Sequence, residues 1–249
     1  MSAPAQAGRP AARRRPAPGG PYGFALALAF VVAAVLAFAA LAAAVADGPT
    51  RLDAVAHHAL FDAFGASRRL GLAVTWFGNN LTLIALVVSV SLALLVGRRY
   101  GAAFRVVFAS GLGGLVVKGL KALFARDRPL DGVIEAAGYS FPSGHAFAST
   151  VFYGMMAYLV FRLTDRLWAR VLAAVLGPLV ILAVGLSRVY LNVHFLSDVV
   201  GGWLAGAAWL VISLLVVGAA ERRVRARREG PPRAAPTPAA STAGSPRTR

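Results

Sequence analysis

Apolar residues occur along this chain in long uninterrupted blocks, and six of these approach the ~20 residues that a helix needs to cross a bilayer. They are Phe24–Ala46, Leu72–Val96, Ala102–Phe124, His145–Phe161, Trp168–Leu186 and Val199–Ala220. In hydrocarbon every backbone N–H and C=O needs a partner within its own segment, so the blocks predict helices. The expected fold class is all-α, a polytopic membrane helix bundle with about six transmembrane helices. Pro178 predicts a kink in the fifth span without breaking it. Asn79 and Asn80 are expected at the mouth of the second span, and Gly202 and Gly206 offer a small-residue face for helix packing.

Composition agrees. Of 249 residues, 58% are hydrophobic and 14% charged, and the mean hydropathy is +0.66. A soluble domain carries about 45–50% apolar and about 25% charged residues, so this chain has too few polar groups to cover a water-exposed globule. Residues 1–23 and 221–249, rich in Pro, Ala, Gly and Arg, read as disordered basic tails around a membrane domain at 24–220. There are no cysteines, which excludes disulfides, thiolate metal sites and cysteine nucleophiles.

The net charge is +16, with +4 on residues 1–23 and +6 on residues 221–249. With a cytoplasmic N-terminus and six spans, the inner segments hold four arginines before the first span. They also hold Arg98, Arg99 and Arg105, then Arg162, Arg166 and Arg170, and eight in the C-terminal tail. That bias predicts both termini in the cytoplasm of a multi-pass plasma membrane protein, with the tails drawn to anionic lipid. No aromatic-interleaved basic motif accompanies the arginines, so no nucleic-acid partner is expected. Ala44-Val45-Ala46 resembles a signal-peptidase site, but the apolar run before it exceeds the usual 7–15 residues, so it is read as a retained helix.

Three polar clusters interrupt the apolar chain. The first is Lys121, six residues, then Arg128-Pro129. The second is Pro142-Ser143-Gly144-His145. The third is Ser187-Arg188, five residues, His194, three residues, Asp198. Ionisable groups beside spans are costly and point to function. Twelve residues between Pro129 and Pro142 are too few to cross. The 41 between His145 and Ser187 fit two crossings, so all three clusters meet on one face. The charge count makes that face extracytoplasmic.

The donor set suits an anion. Arginine forks match phosphate oxygens and lysine adds a point charge. Ser143 and Gly144 open the fourth span, where free N–H groups and the helix dipole favour negative charge. His145 and His194 can divide nucleophile and acid duties near neutral pH. Asp198, four residues after His194, can orient its imidazole on a shared helix face.

Together these motifs resemble the signature of the type 2 phosphatidic acid phosphatase superfamily, which includes lipid phosphate phosphatases and is similar to vanadium haloperoxidases and bacterial acid phosphatases. All eleven motif positions match between Lys121 and Asp198. The resemblance implies that His194 attacks phosphorus and forms a phosphohistidine, that Asp198 orients it, and that His145 protonates the leaving oxygen. It implies that Lys121, Arg128, Ser143, Gly144 and Arg188 hold the phosphate. The implied substrate is a lipid phosphate or diphosphate of the undecaprenyl diphosphate, phosphatidate or phosphatidylglycerophosphate type, hydrolysed without cofactor or metal.

His145, His194 and Asp198 could alternatively ligate a metal, but three nearby cations would repel a divalent ion. A carrier or flippase of phosphorylated lipid would use the same cations without a nucleophile, and a haloperoxidase would hold vanadate in the same cradle. Lys118 reads as a charge supporting the site or as a snorkelling residue. His57 and His58, in the first outer loop, read as interfacial or solvated and not as catalytic. Asp127 and Asp131 read as local charge balance or loop contacts, and Tyr190 and Asn192 as possible substrate contacts. Trp76, Trp168, Trp203 and Trp209 read as interface or packing residues. The Asp47–Arg69 loop gives no functional signal, and the oligomeric state is open.

Overall fold

A computed structural model describes residues 21–65, 67–130 and 132–229. The first expected tail therefore lies largely outside the described residues, as do Asp131 and positions 230–249. The described part is built of helices: α1 (Pro21–Ala44), α2 (Arg51–Phe64), α3 (Arg68–Thr75), a 3-10 turn (Trp76–Gly78), α4 (Asn80–Val96), α5 (Tyr100–Phe124), α6 (Gly144–Leu163), α7 (Leu167–Tyr190) and α8 (Leu196–Glu229). Six segments are long and apolar enough to cross a membrane, with α3, the turn and α4 forming one of them. This is a multi-pass membrane helix bundle.

Three features differ from the sequence reading. The second span is not one continuous helix. It breaks at Trp76–Gly78, and Asn79 caps α4 by accepting a hydrogen bond from Leu81 N at 2.9 Å. A Cβ at Gly78 would lie 2.3 Å from Val184 Cγ1 and 3.3 Å from His145 Cδ2, so the break brings bare backbone against α6 and α7. Secondly, the Asp47–Arg69 loop contains α2. Its Thr50 Oγ accepts from Asp53 N while Asp53 Oδ2 accepts from Thr50 N at 2.8 Å, a reciprocal capping box. Thirdly, α8 continues through residues 221–229, carrying the arginines there on a helix instead of a tail.

α7 runs unbroken through Pro178. Val45, inside the cleavage-like tripeptide, is buried with Ala42 and Phe141 at the end of α1, where Phe38 stacks on Phe141. α6 is the most enclosed span. It shares a core with α5 through Ala102, Val106, Ala109, Phe147, Val151, Met155 and Leu159. On its other side α8 lies very close. A Cβ at Gly202 would fall 2.6 Å from Ser143 O, and one at Gly206 2.9 Å from Phe147 O. The two glycines thus set the α6–α8 spacing near the start of both helices, the packing face expected for them.

Trp203 and Trp209 pack inside, donating to Ile181 O and Ala109 O, whereas Trp76 and Trp168 are exposed on the outer surface. Lys118 is exposed on α5, which fits the snorkelling reading and not a supporting role at the site.

Candidate active site

Helix order brings the three clusters together. α5 ends at Phe124 and α7 at Tyr190, while α6 starts at Gly144 and α8 at Leu196, so all four termini lie at one end of the bundle. Lys121, Arg128, Ser143, Gly144, His145, Arg188, His194 and Asp198 all sit there, as the sequence predicted.

His194 is held by the short connection between α7 and α8. Its backbone N donates to Arg188 O at 3.3 Å, next to a parallel bond from Val193 N. His194 is 3% exposed and Asp198 is fully buried. Nδ1 lies 3.2 Å from Asp198 Oδ2, which also accepts from Phe195 N at 2.9 Å. A carboxylate has no hydrogen to give, so Nδ1 carries the proton in this pair and Nε2 carries the lone pair. Arg128 Nη1 donates to that Nε2 at 3.1 Å. Burial pulls the His194 pKa down to about 4, overriding the opposing pull of Asp198, so the imidazole is neutral near pH 7.

The cations converge on the same spot. Arg128 also donates to Val193 O at 2.7 Å and Gly138 O at 2.8 Å. Lys121 Nζ donates to Tyr139 O and to Ser140 O. Arg188 is 5% exposed, and its Nη1 donates to Thr75 Oγ1 at 2.8 Å. His145 stands in the combined field of Arg188, Arg128 and Lys121. Gly144 lies beside Lys121, whose Cε would stand 3.7 Å from a Cβ at that position, an ordinary contact.

Ser143 behaves differently from the sequence expectation. It is the N-cap of α6, yet its hydroxyl makes no capping bond. Instead its N–H donates to Asp198 O at 2.8 Å. Its Oγ is fully buried and has no hydrogen-bond partner among the described residues, and the same holds for Arg188 Nε. The first bond inside α6 runs from Phe147 N to Ser143 O. The amides of Gly144, His145 and Ala146 thus precede the helical ladder. Buried polar groups left without partners are expensive. Here they surround a place where cations also gather, which is what a tetrahedral oxyanion needs.

Sequence reasoning missed several residues. Arg126 Nη1 donates to Asp198 Oδ1 at 2.6 Å and to Ser197 Oγ at 2.8 Å. Asp53 accepts from Ser197 N at 2.8 Å. Thr75 holds Arg188. The signals were present but weak. Thr50-x-x-Asp53 is a capping-box signature, and Asp53, Ala56, His57 and Leu60 have the spacing of one helix face. His57 Nδ1 meets Val189 O at 3.0 Å, so it docks α2 rather than facing solvent, whereas His58 is exposed. Tyr190 reaches Gly65 O at the end of α2. Asn192 takes a left-handed backbone in the α7–α8 turn. Asp127 accepts from Ser140 Oγ through its carbonyl, a loop contact.

Fold and site together define a multi-pass membrane helix bundle with two histidines among buried cations at one end. The chain belongs to the PAP2 superfamily, whose sequence profile matches residues 102–222. It is 30% identical over 158 residues to phosphatidylglycerophosphatase B of Bacillus subtilis (strain 168), covering 63% of this chain and 76% of that one. It also superposes on the crystal structure of a transmembrane PAP2-type phosphatidylglycerolphosphate phosphatase from Bacillus subtilis. The TM-score is 0.65 at 26% identity, over 78% of this chain and 96% of the other. A shorter stretch of 93 residues is 38% identical to a protein of Escherichia coli (strain K12) named for undecaprenyl-diphosphatase activity. That match covers 34% of this chain and 41% of the other.

Proposed function

We propose that the protein hydrolyses a lipid phosphate or diphosphate at the extracytoplasmic face of the plasma membrane, through a phosphohistidine on His194 and without a metal. The observation that carries the reading is the oriented, neutral His194. Its Nδ1 faces Asp198 and its Nε2 lone pair points among the cations. The relatives' names give phosphatidylglycerophosphate and undecaprenyl diphosphate as the first substrates to try.

The mechanism follows from charge and geometry. A phosphate oxygen takes Arg128 from Nε2, and Lys121, Arg188, the Ser143 hydroxyl and the first amides of α6 hold the remaining oxygens. The Nε2 lone pair forms the N–P bond as the P–O bond to the lipid breaks. The electrons of that bond leave on the lipid oxygen, and His145, entering the step as the imidazolium beside the bound phosphate anion, gives that oxygen its proton. Asp198 stabilises the positive charge that develops on the imidazole. A water then attacks phosphorus, giving its proton to His145, and the N–P electrons return to Nε2. Fixed cations stabilise the charge on phosphorus, so positioning and electrostatics supply most of the rate.

The sidedness rests on the arginine distribution. The site end is the one away from Arg98, Arg99, Arg105, Arg162, Arg166 and Arg170, which supports the reading of both termini as cytoplasmic. The test is phosphate release by purified protein in detergent, with chelator present, from phosphatidylglycerophosphate, phosphatidate and undecaprenyl diphosphate. Turnover of at least one, abolished by His194→Ala, is expected. Full activity in that variant would overturn the mechanism, and activity lost to chelator and restored by one metal would favour metal ligation.

A further inference from the structure

Asp198 orients His194, but Asp198 is itself held. Ala125 caps α5 in the left-handed region (φ 44, ψ 33). This turns the chain back so that Arg126 points toward the start of α8 while Arg128 points at His194. The Arg126 guanidinium lies 4.5 Å over the Phe195 ring. Its Nη1 bonds Asp198 Oδ1 and Ser197 Oγ, its Nη2 bonds Gly48 O at 3.2 Å, and Nη2 lies 3.6 Å from Asp53 Oδ2. Asp53, 3% exposed, closes the arrangement from the other side. Its Oδ1 accepts from Ser197 N, and its Oδ2 accepts from Ser197 Oγ at 3.0 Å. Burial pushes the Asp53 carboxyl up, but hydrogen bonds from Ser197 and Thr50 hold it below the usual value, so it stands as an anion against Arg126.

We infer that Arg126, braced by Asp53 of α2, is a positioning residue for the nucleophile, clamping the Asp198 carboxylate that aims His194. The inference rests on the roles proposed above for His194 and Asp198. Each oxygen of Asp198 has its own task. Oδ2 serves His194 and Phe195 N, while Oδ1 is occupied by Arg126. The carboxylate cannot turn about its own axis without breaking a buried charge-assisted bond. The outer segment between α1 and α3 is thereby part of the catalytic apparatus, through one buried aspartate.

The test uses the full-length protein in detergent with the best substrate from the panel above, comparing Arg126→Met, Arg126→Lys, Asp53→Asn and His194→Ala for kcat, KM and thermal midpoint. Arg126→Met is expected to lower kcat by about 10- to 100-fold, the usual cost of losing a group that orients an active-site ligand. KM should stay within about twofold, because the interaction acts on the nucleophile and not on bound lipid. Arg126→Lys should recover most of the kcat, and Asp53→Asn should show a smaller kcat loss in the same sense. Wild-type kcat in Arg126→Met overturns the inference. So does a kcat loss in Arg126→Lys that only follows a lowered midpoint. Should Arg126→Met fail to fold, wild-type kcat in a folded Asp53→Asn overturns it instead. An active His194→Ala sinks the proposed function as well, whereas an inactive one beside wild-type Arg126→Met sinks the clamp alone.

Discussion

At the end of the bundle where α5 and α7 finish, Arg188 is buried against Thr75, and Arg126 and Arg128 are largely enclosed, the last two each reaching two or more groups. At the opposite end, Arg105 meets Glu221 at 2.6 Å and Arg170 meets Asp165 at 2.7 Å, in pairs with at least one partner partly open to solvent. The second arrangement is ordinary. Exposed ion pairs are worth about 0–1 kcal/mol and are easily exchanged. The first is costly, because desolvating a cation near a membrane is opposed unless something returns the energy. Backbone carbonyls and two carboxylates return part of it. Arg188 Nε and Ser143 Oγ are buried without partners among the described residues, a cost that anion binding in the proposed reaction would offset.

The contrast can be broken in order of effect. Arg188→Ala removes a buried donor aimed into the pocket. It should cut kcat/KM by about 100- to 1,000-fold, as loss of one oxyanion donor does, read as phosphate release. Next, Gly202→Leu forces a side chain against Ser143 O and Ala146. Overpacking of this kind costs about 1–3 kcal/mol, and because it separates the Ser143–His145 turn from Asp198, activity should fall with the thermal midpoint in detergent.

A pH profile sharpens the comparison further. His194 must be neutral to attack. Burial lowers its pKa, so activity is present above that value and is lost as pH drops through about 4. The acid limb of kcat/KM, corrected for the substrate's own titration, should lie near there and not near the ordinary histidine value of about 6.5. Smallest of all, Glu221→Gln at the opposite end should change stability by less than about 1 kcal/mol and leave kcat unchanged.

Much of this was legible in the sequence because the bilayer imposes simple rules. A long apolar block must be helical, and motif spacing against span length brings Lys121, Ser143, Arg188 and His194 to one face. The rest was hidden for specific reasons. The break at Trp76–Gly78 lies inside an apolar run, with only Asn79–Asn80 to signal it. α2 was concealed because its buried face includes Asp53 and His57, residue types that resemble loop chemistry. Arg126 was missed because its direction depends on a left-handed Ala125. Alanine does not advertise that conformation as glycine would, and Arg126→Asp198 is a contact across 72 positions.

The most direct test of the central claim is to trap the covalent species. Protein mixed with lipid carrying radiolabelled phosphate, quenched within the first turnover and held at alkaline pH, should yield an acid-labile label that maps to His194. That label should vanish in His194→Ala and persist, with slower turnover, in His145→Ala. Label on another residue, or phosphate release in a full first turnover with no labelled protein, would contradict the account.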